Sequence, residues 1–139
     1  VSGEVTALAE PVRPTPRPDD GLAWARAAAR AADAKTDEET VLLDVAGVLS
    51  ITSWFVITGG RNPRQVKTIV EEVEQQVAAA GGPRPLRIEG LDARQWVLMD
   101  YGGFVVHVFL DETRRYYDLE RLWGDVPRVD WRTGDTVAT

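Results

Sequence analysis

The chain has 139 residues, 44% of them hydrophobic, enough for one compact core with tails and against global disorder. Acidic side chains outnumber basic ones 22 to 16, a formal charge of -6, which argues against broad contact with nucleic-acid phosphates and favours a basic partner. The absence of cysteine excludes disulfides, thiolate metal sites and thiol nucleophiles together, and fits a reducing, cytoplasmic setting. No apolar run approaches the roughly 20 residues that span a bilayer, and the first residues lack the basic start and apolar core of a secretory signal.

Residues 1–19 read as a leader, because Pro11, Pro14, Pro16 and Pro18 break helix and strand alike. Asp20 is placed to cap a helix over 21–35, with Leu22, Ala25, Ala29 and Ala32 as a narrow apolar stripe. Val41 to Val45 and Trp54 to Thr58 read as buried strands, the second ended by Gly59-Gly60. Asn62 then caps a helix whose first residue is Pro63, where a missing N–H costs nothing. Val66, Ile69, Val70, Val73 and Val77 line its apolar face, and Gly81-Gly82 stops it. A short strand follows at Leu86 to Glu89, and a last short helix is expected at Asp118 to Leu122. Residues 20–124 are thus expected to form the domain, and 125–139 a tail with little apolar periodicity. Interleaved strands and helices give an α/β (α+β) fold, a mixed sheet of about five strands flanked by helices.

The clearest local signal is the run from Trp96 to Leu110, a hairpin turning at Gly102-Gly103, where two glycines supply the positive φ of a tight primed turn. That turn sets Tyr101 opposite Phe104, Asp100 opposite Val105, Leu98 opposite His107 and Trp96 opposite Phe109. Alternation puts Val97, Met99, Tyr101, Phe104, Val106 and Val108 on one apolar face. The other face mixes Trp96, Leu98, Asp100, Val105, His107 and Phe109. Such a mixture suits the centre of a protein interface. It equally suits a second layer that covers Asp100 and His107.

The stretch from Trp96 to Gly103, followed by Val105 to Phe109, resembles the signature hairpin of the ribosomal silencing factor (Iojap) family. Val41 to Val45, Ser50-Ile51-Thr52, Phe55-Val56-Ile57, Gly59 with Arg64-Gln65-Val66, and Tyr116 to Trp123 resemble its other motifs in order, from about Leu22 to Val129. The resemblance implies a fold related to nucleotidyltransferases but lacking their catalytic carboxylates. It also implies a non-enzymatic role without cofactor or metal: binding ribosomal protein L-fourteen on the large ribosomal subunit, blocking the small subunit, and repressing translation when nutrients are short. A homodimer when free, and no membrane association, go with it. Carried across residue by residue, the partner surface centres on Trp96, Asp100 and Tyr101, with Leu98 and His107 from the same hairpin and Tyr117 and Glu120 from the closing motif. The acids Asp100 and Glu120 would pair with a cationic protein, so little direct RNA contact is expected. Ser53-Trp54, Pro63 and Gly103 depart from the family's usual residues, which leaves contacts at the hairpin tip and the Ser53 loop open.

Catalysis finds little support. Thr58-Gly59-Gly60 before a helix could imitate a phosphate-binding turn, but no paired carboxylates at metal-holding spacing follow it. A triad can be drawn on paper from Ser50 or Ser53, His107 and Asp100, yet neither serine has a nucleophile-elbow sequence. A self-association module and a residual nucleotide-binding protein are the alternative readings.

Overall fold

In the computed structural model of the chain, residues 18–132 are described; the proline-rich leader through residue 17 and residues 133–139 lie outside them. Helix α1 spans Pro18–Asp33, strand β1 Val41–Asp44, β2 Trp54–Gly60 and α2 Pro63–Ala79. Strands β3, Arg87–Glu89, β4, Trp96–Asp100, and β5, Phe104–Leu110, complete a five-stranded sheet of order β1-β2-β5-β4-β3. The sheet is mixed: β2 and β5 run parallel, and every other neighbouring pair is antiparallel. Two short helices, α3 (Asp111–Tyr117) and α4 (Leu119–Leu122), follow β5.

Local chemistry explains most boundaries. Asn62 caps α2 through its side-chain oxygen, which accepts from the Gln65 N–H at 2.8 Å, and Pro63 opens the helix. The five apolar residues expected on its inner face are all buried, and each such side chain stabilises by about 1.5–3 kcal/mol. Gly81, just past the end of α2, has φ +86°, the left-handed conformation that glycine adopts without a Cβ penalty. Helix α1 starts at Pro18 rather than after Asp20, so Asp20 lies within the first turn. Its buried stripe is wider than expected, because Ala27, Ala28 and Ala31 join Ala25, Ala29 and Ala32.

Helices α1 and α2 cover one face of the sheet. Their buried residues merge with Leu42, Val56, Val97, Met99, Tyr101, Phe104, Val106 and Val108 into the main core. Gly59-Gly60 end β2 from inside the strand. They are its last two residues, paired with Phe109 and Leu110. A side chain at Gly59 would meet the Phe109 carbonyl oxygen at 3.2 Å, so the glycine admits close backbone approach.

The hairpin register is the one that alternation and the turn predict, from Trp96↔Phe109 to Asp100↔Val105, closed by Tyr101 N–H donating to Phe104 O at 3.0 Å. Only Gly102 has positive φ, +87°. One positive angle at the first central residue fits a type II′ turn, so Gly103 need not be glycine for conformational reasons.

Residues 125–132, expected within a tail, lie against the β1 edge. Asp44 N–H donates to Pro127 O at 2.9 Å, and Val129 N–H to Leu42 O at 2.8 Å. Trp131 is buried in the main core and donates its indole N–H to Thr40 O at 2.9 Å. Arg26 of α1 holds the Asp130 carbonyl at 3.0 Å. An otherwise exposed strand edge is thereby occupied by the chain's own backbone.

Candidate partner-recognition surface

The outer face of the sheet, away from α1 and α2, is covered over half its width. Val41, Leu43, Val45, Phe55, Ile57 and Phe109 form a second, smaller core there. Leu49 from the β1–β2 loop packs on it, as do Leu119, Trp123 and Val126 from the segment around α4. Trp123 meets Phe55 edge-on, with ring centroids 5.4 Å apart. The cover thins along β4: Trp96 packs against this cluster, whereas Leu98 does not belong to it.

Period-two alternation lines up Trp96, Leu98 and Asp100 along β4, and all three are partly exposed. At about 3.4 Å per residue the stripe runs about 13 Å. Trp96 stacks on Phe109 with centroids 4.9 Å apart and an interplanar angle of 30°. Tyr117, at the end of α3, lies 5.0 Å from the indole and is 52% exposed, so it extends the aromatic surface off the sheet. Asp100 is fixed twice: its carboxylate accepts from Gly102 N–H at 2.8 Å and lies 3.6 Å from Arg87.

Three residues expected on this surface are placed otherwise. Tyr101 belongs to the opposite face, where Met99 also points. It is buried and stacked on Phe104 at 4.5 Å, and burial, then the charge of Glu74, pushes its phenol well above the ordinary value. His107 faces outward from the sheet but is only 5% exposed, covered by the second core's aromatics, with Phe55 edge-on at 4.6 Å. Burial lowers its pKa to about 4. The triad drawn on paper is not assembled, since no hydrogen bond joins Asp100 and His107. Instead His107 Nδ1 accepts the Trp96 indole N–H at 3.1 Å. Glu120 is engaged within the chain, its Oε2 accepting from Arg114 Nε at 3.1 Å and from the terminal guanidinium nitrogen at 2.5 Å.

Sequence reasoning missed α3, whose Asp-Glu-Thr-Arg-Arg start shows no apolar periodicity. It therefore missed Arg114, Tyr116 and the role of Trp123. Among the described residues, no group of three or more His, Asp or Glu is placed to hold a metal ion, and no helix is long and apolar enough to cross a membrane. What the surface offers is contact area from aromatics beside a fixed carboxylate, the chemistry of recognition.

A mixed sheet backed by two helices on one face, with a partly exposed aromatic-acidic stripe on the other, defines a small α+β domain. The family described as ribosomal silencing factor during starvation matches residues 18–138, and the chain belongs to it. Over 103 residues it is 42% identical to a protein named ribosomal silencing factor from Bacillus subtilis, covering 74% of this chain and 86% of that one. A mouse protein named mitochondrial assembly of ribosomal large subunit protein 1 is 33% identical over 85 residues, 59% of this chain and 37% of its own length. A crystal structure of a Chromobacterium violaceum protein superposes with a TM-score of 0.69 at 32% identity, covering 74% of this chain and 85% of that one.

Proposed function

We propose that this chain is a cytoplasmic ribosomal silencing factor that binds the large ribosomal subunit through ribosomal protein L-fourteen. Bound there, it blocks joining of the small subunit and represses translation when nutrients are short. Family membership supports the ribosomal role, and the mouse relative's name points to the large subunit. The observation that carries the reading is the stripe Trp96–Leu98–Asp100, partly exposed, with the exposed Tyr117 beside it. Trp96 and Tyr117 supply rigid contact area, and Asp100 supplies a positioned charge for a lysine or arginine. Tyr101, His107 and Glu120 act behind this surface rather than on it.

A sedimentation gradient with separated subunits tests the reading. The protein should travel with the large subunit and prevent reassociation, and Trp96→Ala should weaken binding by about 2 kcal/mol or more. Normal joining of subunits in the presence of saturating protein would overturn it. A free homodimer is a second reading, favoured by the same stripe, since exposed aromatics in a row also suit a copy of themselves. If two copies bury Trp96, dimerisation and subunit binding must compete.

A further inference from the structure

We propose that Arg114 is a positioning residue for the recognition surface: paired with Glu120 beneath the α3–α4 turn, it fixes Tyr117 beside Trp96 and seats Trp123 on the sheet. This rests on the reading of the surface given above. Neither α3, with seven residues, nor α4, with four, is long enough to hold itself in place, so tertiary contacts must set their position. Leu119 and Trp123 pack on the second core, Tyr117 touches Trp96, and Arg114 joins Glu120 across the turn.

The pair is built in rather than incidental. The Arg114 side chain is 9% exposed and that of Glu120 20%, unlike the chain's other ion pairs among the described residues, each of which has at least one partner more than half exposed or nearly so. Two guanidinium nitrogens converge on one carboxylate oxygen, a charge-assisted arrangement. The arginine lies along Gly59 of β2: a Cβ there would be in ordinary contact with it, 3.4 Å from a terminal guanidinium nitrogen and 3.5 Å from Cδ. Between the bonded residues the chain reverses at Asp118, a non-glycine residue with φ +50°, whose N–H donates to the Arg114 carbonyl at 2.8 Å. That left-handed residue is held by backbone bonds on both sides, its N–H to the Arg114 carbonyl and its own carbonyl accepting from Arg121 N–H at 3.1 Å.

The same geometry gives Glu120 a different task from a direct contact with a cationic partner. Removing one member of a buried pair strands the other charge, whereas replacing both by apolar residues of similar volume removes the penalty. The test compares Glu120→Met, Arg114→Met and the double variant by amide exchange of the free protein and by binding to purified large subunits. Each single variant should speed exchange across 116–123 about tenfold and weaken subunit binding about tenfold, with the sheet core unchanged; the double variant should return both to within about threefold of wild type. Two results would overturn the proposal. One is a Glu120→Met variant that loses binding with unaltered exchange, the signature of a direct contact. The other is a double variant as impaired as the singles. Should a single variant fail to fold, the double variant still decides. Exchange is read without ribosomes, so failure of the wild type to bind subunits would count against the ribosomal reading while the exchange results still judge the clamp.

Discussion

The indole N–H of Trp96 donates to Nδ1 of His107 at 3.1 Å, tying a partly exposed residue to a buried one. The bond requires Nδ1 to be the unprotonated nitrogen, so the neutral imidazole carries its proton on Nε2, an atom with no hydrogen-bond partner. The histidine is thus a support for the tryptophan from behind, and the alignment of the indole depends on the ring staying neutral.

Acid should loosen this support. His107 has its folded pKa lowered to about 4 from an ordinary 6.5. As pH falls below about 6.5 the unfolded chain takes up the proton first, so this contribution to stability is complete above that pH and is lost progressively towards pH 4. Urea unfolding of the wild type should show that decline, and His107→Phe should flatten it between pH 6.5 and 5. An equal slope in the variant would assign the decline to other groups.

Trp96→Phe separates the two jobs of the tryptophan. The stack on Phe109 can survive, while the N–H to His107 is lost, leaving Nδ1 buried without a donor, at a cost of about 1–3 kcal/mol. Thermal unfolding should register that loss. Subunit binding should fall less than with Trp96→Ala, because most of the contact area remains.

Asp100→Asn keeps an oxygen for the Gly102 N–H but removes the charge. Stability should change by less than about 1 kcal/mol, since the ion pair with Arg87 is long and largely exposed on the arginine side. Binding to the large subunit should weaken and become less sensitive to salt. Binding titrations at two ionic strengths read both effects, and an unchanged salt response would remove Asp100 from the contact.

The two turn glycines should respond differently. Gly102→Ala forces a Cβ onto φ +87° and should destabilise by about 1 kcal/mol or more, whereas Gly103→Ala meets nothing within 4 Å and should be close to neutral. Equal losses in chemical denaturation would point to a turn with positive φ at both positions.

Much of this was legible because it is local. Asn62 and Pro63 announce α2, and alternation plus Gly102 fixes the hairpin register, so the row of Trp96, Leu98 and Asp100 follows from the residues alone. What was not legible is distant in sequence. Burial of His107 needs Phe55 and the α4 segment to close over it, and nothing in the strand itself encodes that cover. Tyr101 was assigned to the partner surface by family resemblance, although its own alternation placed it with Met99 in the core. The β1 edge was unreadable for a related reason: Pro127 to Trp131 carry no strand pattern, since they contribute backbone groups and a single indole rather than an apolar face.

That last segment also orders the chain's own birth. Trp131 completes the core beside α1 and β1, residues made about a hundred positions earlier, and β2 sits between β1 and a strand that begins only at Phe104. A fragment ending before Phe104 therefore lacks the strand that joins the two halves of the sheet, and contacts so far apart along the chain delay closure until most of it has been translated. On this reasoning, a nascent copy stalled before Val126 lacks the segment that closes the β1 edge and the indole that completes the main core.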